Sequence, residues 1–159
     1  MRRGFLVVII VFIVVFAAVL TAATQFRLSA LQEPGRTEIY LATKVKHILV
    51  HKDSRSVPLP PATTPASVAE GRKLYGAECA VCHGLDGRTA TDAGRWMYPR
   101  AANLASPDVQ AYSDQGLFWI VKNGIRFSGM PAFGKVESDE HIWNLTHYVR
   151  TLPVGSNPH

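Results

Sequence analysis

Cys79-Ala80-Val81-Cys82-His83 is the stretch of this sequence that can do chemistry. Two thiols three positions apart, with an imidazole directly after the second, have the spacing that attaches haem c. Each thiol can form a thioether to one vinyl carbon of a porphyrin, and the imidazole can give the iron one axial nitrogen. Three other uses of a Cys-x-x-Cys pair compete. A thioredoxin-type redox disulfide needs a strand before it and a parallel sheet around it, and no βαβ pattern precedes Cys79. A zinc site needs two more Cys or His ligands at suitable spacing, and no second Cys-x-x-Cys exists because the chain has only two cysteines. A structural disulfide would make the adjacent histidine a coincidence of about one in forty at ordinary composition. The expected cofactor is therefore one covalent haem c, held by Cys79 and Cys82, with His83 as an axial ligand to the iron.

A second axial ligand has to come from elsewhere in the chain. Gly124 to Gly134 reads GIRFSGMPAFG. A methionine between glycine and proline in such a stretch sits on a stiff loop that projects one side chain. A thioether is a soft, uncharged donor that stabilises ferrous haem and raises its potential. Of the three methionines, Met1 lies at the start of the chain and Met97 falls in an irregular loop. Met130 is the expected ligand, with Met97 or a histidine as the alternatives.

The elements that must position these groups read as helices. Ser67, with Glu70 three residues later, has the capping-box pattern, and a helix carrying Val68, Leu74 and Tyr75 runs to about Cys79. Gly71 inside it costs roughly 1 kcal/mol relative to alanine, as either a point of close helix approach or a tolerated surface glycine. Gly84, Asp86 and Gly87 mark a turn out of the motif. Residues 88–113 show weak periodicity and include Pro99 and Pro107, which predicts an irregular loop along one porphyrin edge. Asp114 begins a helix with Leu117, Phe118, Ile120 and Val121 that ends at Asn123-Gly124. Its Trp119 either reaches a haem propionate through the indole or fills the core. Ser138 caps a last helix, with Asp139 and Glu140 in its first turn. The buried stripe of that helix is Ile142, Leu145, Tyr148, Val149 and Leu152, and Pro153 ends it.

The start of the chain has a different character. Gly4 to Phe26 is a run of 23 residues without a charge, about 34 Å as a helix, which matches the ~30 Å hydrocarbon core of a bilayer. A cleaved signal peptide competes, with Thr21-Ala22-Ala23 as small residues for a peptidase, but the run exceeds a usual signal core of roughly 7–15 residues. Residues 1–26 are read as a retained single-pass transmembrane helix. Arg2 and Arg3 place its N-terminus on the cytoplasmic side of a bacterial membrane, and the haem domain in the periplasm. Residues 1–65 hold eight Lys and Arg against three Asp and Glu, whereas residues 66–159 hold nine of each. The basic excess thus belongs to the N-terminal part and gives no reason to expect a nucleic-acid partner.

Residues 27–65 read as a linker. In Thr37 to His51 the apolar Ile39, Leu41, Val45, Ile48 and Leu49 fit one helical face, with Lys44, Lys46, His47 and Lys52 on the other. This is a short amphipathic helix at a membrane surface or against a partner subunit, or, since the run is β-branched, a strand. His47 and His51, four apart, are a metal or haem pair or simply two solvated histidines. Val57 to Pro65 contains Pro58, Pro60, Pro61 and Pro65, a polyproline-like spacer between the membrane and the haem domain. The haem domain is expected over residues 66–153, with 154–159 as a tail.

The stretches EGRKLYGAECAVCHGLDG (70–87), WIVKNGIRFSGMPAFG (119–134) and SDEHIWNLTHYVRTL (138–152) resemble class I c-type cytochromes, in particular small membrane-anchored bacterial monohaem cytochromes c. The resemblance implies an all-α fold around one covalent haem. Its first and last helices cross, with Gly71 and Tyr75 meeting Leu145 and Tyr148. It further implies that a proline carbonyl orients the proximal histidine, for which Pro99 is the match, and that neighbouring Arg100 meets a propionate. The expected function is single-electron transfer between respiratory or photosynthetic redox partners on the outer face of the cytoplasmic membrane, without enzyme chemistry at the iron. The alternatives are a fixed cytochrome subunit of a membrane oxidoreductase complex, and a haem sensor or peroxidase in which the methionine leaves. The expected partners are membrane lipid and redox proteins or a membrane complex.

Overall fold

The computed structural model describes residues 2–25 and 29–153. The junction at 26–28 and the tail at 154–159 lie outside the described residues. Among those described there is no strand. The helices are α1 (Arg2–Gln25), α2 (Arg36–Asp53), α3 (Pro65–Leu74), α4 (Ala80–His83), α5 (Asp92–Arg95), α6 (Pro107–Gln110), α7 (Asp114–Asn123) and α8 (Asp139–Arg150). Short 3₁₀ turns lie at Ser54–Ser56 and Phe133–Lys135. Among the described residues one helix is long and apolar enough to cross a membrane, over Gly4–Thr24.

The core of the domain is the meeting of α3 and α8. A Cβ on Gly71 would stand 1.9 Å from the Asn144 carbonyl oxygen and 3.0 Å from Tyr148 Cβ, so only glycine lets the two backbones approach this far. One turn on, the rings of Tyr75 and Tyr148 lie 5.1 Å apart, and Tyr75, Ala80 and Leu145 form one buried cluster. The close-approach role of Gly71 is therefore the correct one. A second cluster, Phe118, Ile142 and Trp143, joins α7 to α8, with the Phe118 and Trp143 rings 4.4 Å apart. Arg150 closes the C-terminal end, donating from Nη1 to the Gln110 carbonyl (2.9 Å) and from Nε to Asp114 Oδ1 (2.7 Å).

Helix ends mostly follow the side-chain rules. Ser138 Oγ accepts from His141 N at 3.2 Å, and α7 ends at Gly124 with φ +67°. The cap of α3 is Thr64, not the expected Ser67. Thr64 Oγ1 accepts from Ser67 N, while Ser67 Oγ accepts from Thr64 N. Pro65 then occupies the first helical position, where its missing N–H costs nothing.

The linker differs most from expectation. Residues 36–53 are one helix, and the face that meets the domain is not the apolar one. Val50, 2% exposed, enters the cluster of Ala105, Tyr112, Leu117, Val149 and Leu152. His47 stacks flat on Tyr112 with centroids 4.0 Å apart. Leu41, Val45, Ile48 and Leu49 remain exposed. Val57 packs on the Phe118–Ile142–Trp143 cluster. The proline-rich stretch therefore joins α2, which packs on the helical body through Val50, to α3.

Candidate haem-attachment site

The helix α3 does not stop before the motif. It widens into a π-helical turn, Tyr75–Cys79, and tightens again as α4. Such a turn re-aims the side chains that follow it. Tyr75 donates from its hydroxyl to the Gly84 carbonyl at 2.7 Å, tying the start of this turn to the end of the motif. Gly84 has φ +75°, so the chain reverses there at little cost.

Cys79 and Cys82 are both free thiols. Burial, with smaller help from Glu78, pushes the Cys79 thiol up to about 12, so at neutral pH it is protonated. His83 is held by one nitrogen, its Nδ1 lying 2.8 Å from the Ala102 carbonyl oxygen. A carbonyl can only accept, so Nδ1 carries the proton and Nε2 keeps its lone pair. Burial lowers the pKa of the ring against the opposing pull of that hydrogen bond, and the imidazole stays neutral. Two unpaired thiols and a neutral imidazole with its far nitrogen free are the donor set that covalent haem needs. The residues present fit the group.

The orienting carbonyl belongs to Ala102 and not to Pro99, three residues earlier, which follows a cis peptide bond. Arg100 is paired with Glu33 on the linker side of the domain. Trp119 is partly buried against the Val50–Leu117 cluster. The loop under α4 is fastened by groups that carry no obvious sequence signal. Thr91 N donates to the Cys82 carbonyl at 3.1 Å, and Ala101 N to the Gly94 carbonyl at 2.9 Å. A Cβ on Gly94 would stand 2.2 Å from the Cys82 carbonyl oxygen.

Met130 sits on a closed turn. Ser128 Oγ donates to the Ile125 carbonyl at 2.7 Å and accepts from Met130 N at 3.2 Å. Phe127 takes φ +61° with its ring 91% exposed. Met97 has a more defined place than its loop suggested. Its sulfur lies 2.4 Å from where a Cβ on Gly129 would be, so both methionines border the same turn. His47 and His51 do not converge on this site: His47 lies on Tyr112, and His51 Nε2 is 3.4 Å from Arg55 Nη2.

On the other side of the motif, Glu78 is half-buried with its Oε2 unpartnered. Burial, and then the approach of Glu137, raise its carboxyl pKa. Glu137 is held low by His141, whose Nδ1 is 2.6 Å away.

Residues 66–149 match the family described as cytochrome C oxidase, cbb3-type, subunit III. The chain is 30% identical over 93 residues to cytochrome c6 of Thermosynechococcus vestitus, covering 58% of this chain and 77% of that protein, and equally to cytochrome c6 of Thermostichus vulcanus. Among solved structures, a chain of a reducing HAO-like protein complex of Kuenenia stuttgartiensis superposes with a TM-score of 0.57 at 27% identity, over 62% of this chain. The present chain spans about half of that neighbour, 49% of its length. With its helices, its Cys79–His83 motif and these relatives, the chain belongs to the class I c-type cytochromes, electron carriers with covalently attached haem c.

Proposed function

We propose that this chain is a membrane-anchored monohaem cytochrome that passes single electrons between redox proteins at the periplasmic face of the bacterial cytoplasmic membrane. Cys79 and Cys82 would hold the haem, and His83 and Met130 would be its axial ligands. Bound there, haem c supplies a one-electron iron couple. The observation that carries the reading is the hydrogen bond from His83 Nδ1 to Ala102. It fixes the tautomer, and the free Nε2 lies on a residue adjacent to an unpaired thiol. The Ser128 clamp supports Met130 as the second ligand by fixing the backbone that presents its sulfur. Two protein ligands leave no open coordination position, which suits electron transfer better than substrate chemistry.

Two experiments test this. Cys79→Ala with Cys82→Ala should leave no haem that survives acidified-solvent extraction, and haem retained by the protein would defeat the thioether assignment. The reduced wild-type protein should not take up carbon monoxide at neutral pH, and ready uptake would show that Met130 does not hold its place.

A fixed subunit of a membrane complex is the second reading. It is favoured by the packing of α2 on the domain, which leaves little free chain after α1. The matched family is described as an oxidase subunit, and the structural neighbour comes from a complex. Stoichiometric co-purification after mild solubilisation supports that reading, and a monodisperse single chain supports a free carrier.

A further inference from the structure

An amphipathic helix normally turns its apolar stripe to the core. In α2 this is reversed. Val50 and His47 face the domain. Lys46 lies on the same side, its pKa lowered by burial despite the nearby Asp108. Leu41, Val45 and Ile48 recur at spacings of four and three along the opposite face, with Leu49 beside them, and are 49–66% exposed. The same outward face ends in Lys52, and Lys44 flanks it. An apolar row with cations at its border is the pattern of a helix lying in a lipid interface.

Chain length says what can cover this row. Eleven residue steps separate Gln25, the end of α1, from Arg36, the start of α2. Fully extended, they reach at most about 39 Å. The free path is shorter, because Glu33 within it is paired with Arg100. If α1 spans the bilayer, α2 cannot leave its neighbourhood. A soluble partner would have to find this face, whereas the lipid surface is beside it at all times.

We infer that α2 rests its Leu41–Val45–Ile48 row in the headgroup region of the membrane that α1 crosses, holding the cytochrome domain flat against the bilayer in one orientation. The inference rests on the anchor reading of α1. The domain is then docked to the lipid surface, and does not swing on a tether.

The test uses the full-length holoprotein in vesicles of phosphatidylcholine with one-third phosphatidylglycerol. Both native cysteines are consumed by haem, so a single introduced cysteine takes a spin label. Labels at Val45→Cys and Ile48→Cys should collide several-fold more with oxygen than with an aqueous nickel chelate, and Lys73→Cys, on exposed α3, should show the reverse. Val11→Cys reports the anchor separately. A deep label at 11 with aqueous labels at 45 and 48 overturns the inference and leaves the anchor standing. An aqueous label at 11 overturns both. Labels at 45 and 48 shielded from both probes, in a protein that sediments as a dimer, would assign the face to a second copy and overturn the lipid reading.

Discussion

Gly71 and Asn144 stand so close that a single methyl group at Gly71 would fall 1.9 Å from the Asn144 carbonyl oxygen. The contact is backbone against backbone, so no side-chain rotation relieves it. Gly71→Ala gains roughly 1 kcal/mol of helix propensity but forces α3 and α8 apart, at about 1–3 kcal/mol or more for an overpacked interface. The separation also pulls Tyr75 from Tyr148 and loosens its bond to the Gly84 carbonyl. A net loss of up to about 2 kcal/mol is expected, a fall of up to roughly 10 °C in the melting of the haem-loaded protein for a domain of this size. An unchanged melting temperature would show that the helices do not need this approach.

The crossing at Gly71 was legible only through the resemblance to class I c-type cytochromes, because the residues alone left Gly71 open between close approach and a surface position. Helices α7 and α8 were legible from their apolar periodicity, together with the Gly124 end of α7 and the Ser138 cap of α8, whereas the Ser113 cap of α7 was not named. The carbonyl under His83 was not. Any residue can offer a carbonyl, and Ala102 is placed by loop closures such as Ala101 N to Gly94 O, which leave no side-chain signature. The α3 cap was misplaced by three residues because Thr64 and Ser67 both have capping side chains, and Pro65 at the first helical position decides between them. The outward apolar face of α2 is compatible with the expected helix at a membrane surface or against a partner, but its packing on the helical body through Val50 was not legible. Periodicity identifies an apolar stripe but not what the stripe faces, and a single buried residue such as Val50 leaves no period to read.

Met97 and Met130 both border the 124–130 turn, so substitution has to separate them. Met130→Ala should abolish the weak far-red sulfur-to-iron absorption of the oxidised protein. It should also lower the midpoint potential by on the order of 0.1–0.3 V, within the ~0.8 V span that axial ligands command. Met97→Leu keeps the volume against Gly129 and should leave both readouts in place, with a stability loss under about 1.5 kcal/mol. Should the absorption survive in Met130→Ala and vanish in Met97→Leu, the ligand assignment is reversed.

Arg150 joins the end of α8 to three residues of the 110–114 segment. It donates to the Gln110 carbonyl, to Gln110 Oε1, to the Tyr112 carbonyl and to Asp114. Its side chain is 26% exposed, so water replaces few of these bonds when the guanidinium is removed. Arg150→Met should cost about 1.5–3 kcal/mol, the range for hydrogen bonds to a charged group. Arg150→Lys should recover less than half of that, because an ammonium cannot reproduce the planar fork. Chemical denaturation of the two variants checks the order.

Glu78, Glu137 and His141 give a pH dependence with a definite sign. The pKa of Glu78 is raised by burial above its unfolded value near 4.3, so the folded state binds its proton more tightly. The stability this contributes is complete below about pH 4 and is lost as pH rises through the raised folded pKa. Glu137 runs the other way. His141 holds it low, so its contribution is present above about pH 4.3 and is lost as pH falls. Glu78→Gln keeps the size and polarity of the side chain but has no charge to bury. The variant should match the wild type at pH 4 and melt above it at pH 7, with the gap opening across the interval between. Melting curves of the haem-loaded protein at half-unit pH steps would reveal this. A variant less stable than wild type at pH 7 would mean that the Glu78 carboxylate is ionised and paired in the folded protein, in conflict with its buried, unpartnered Oε2.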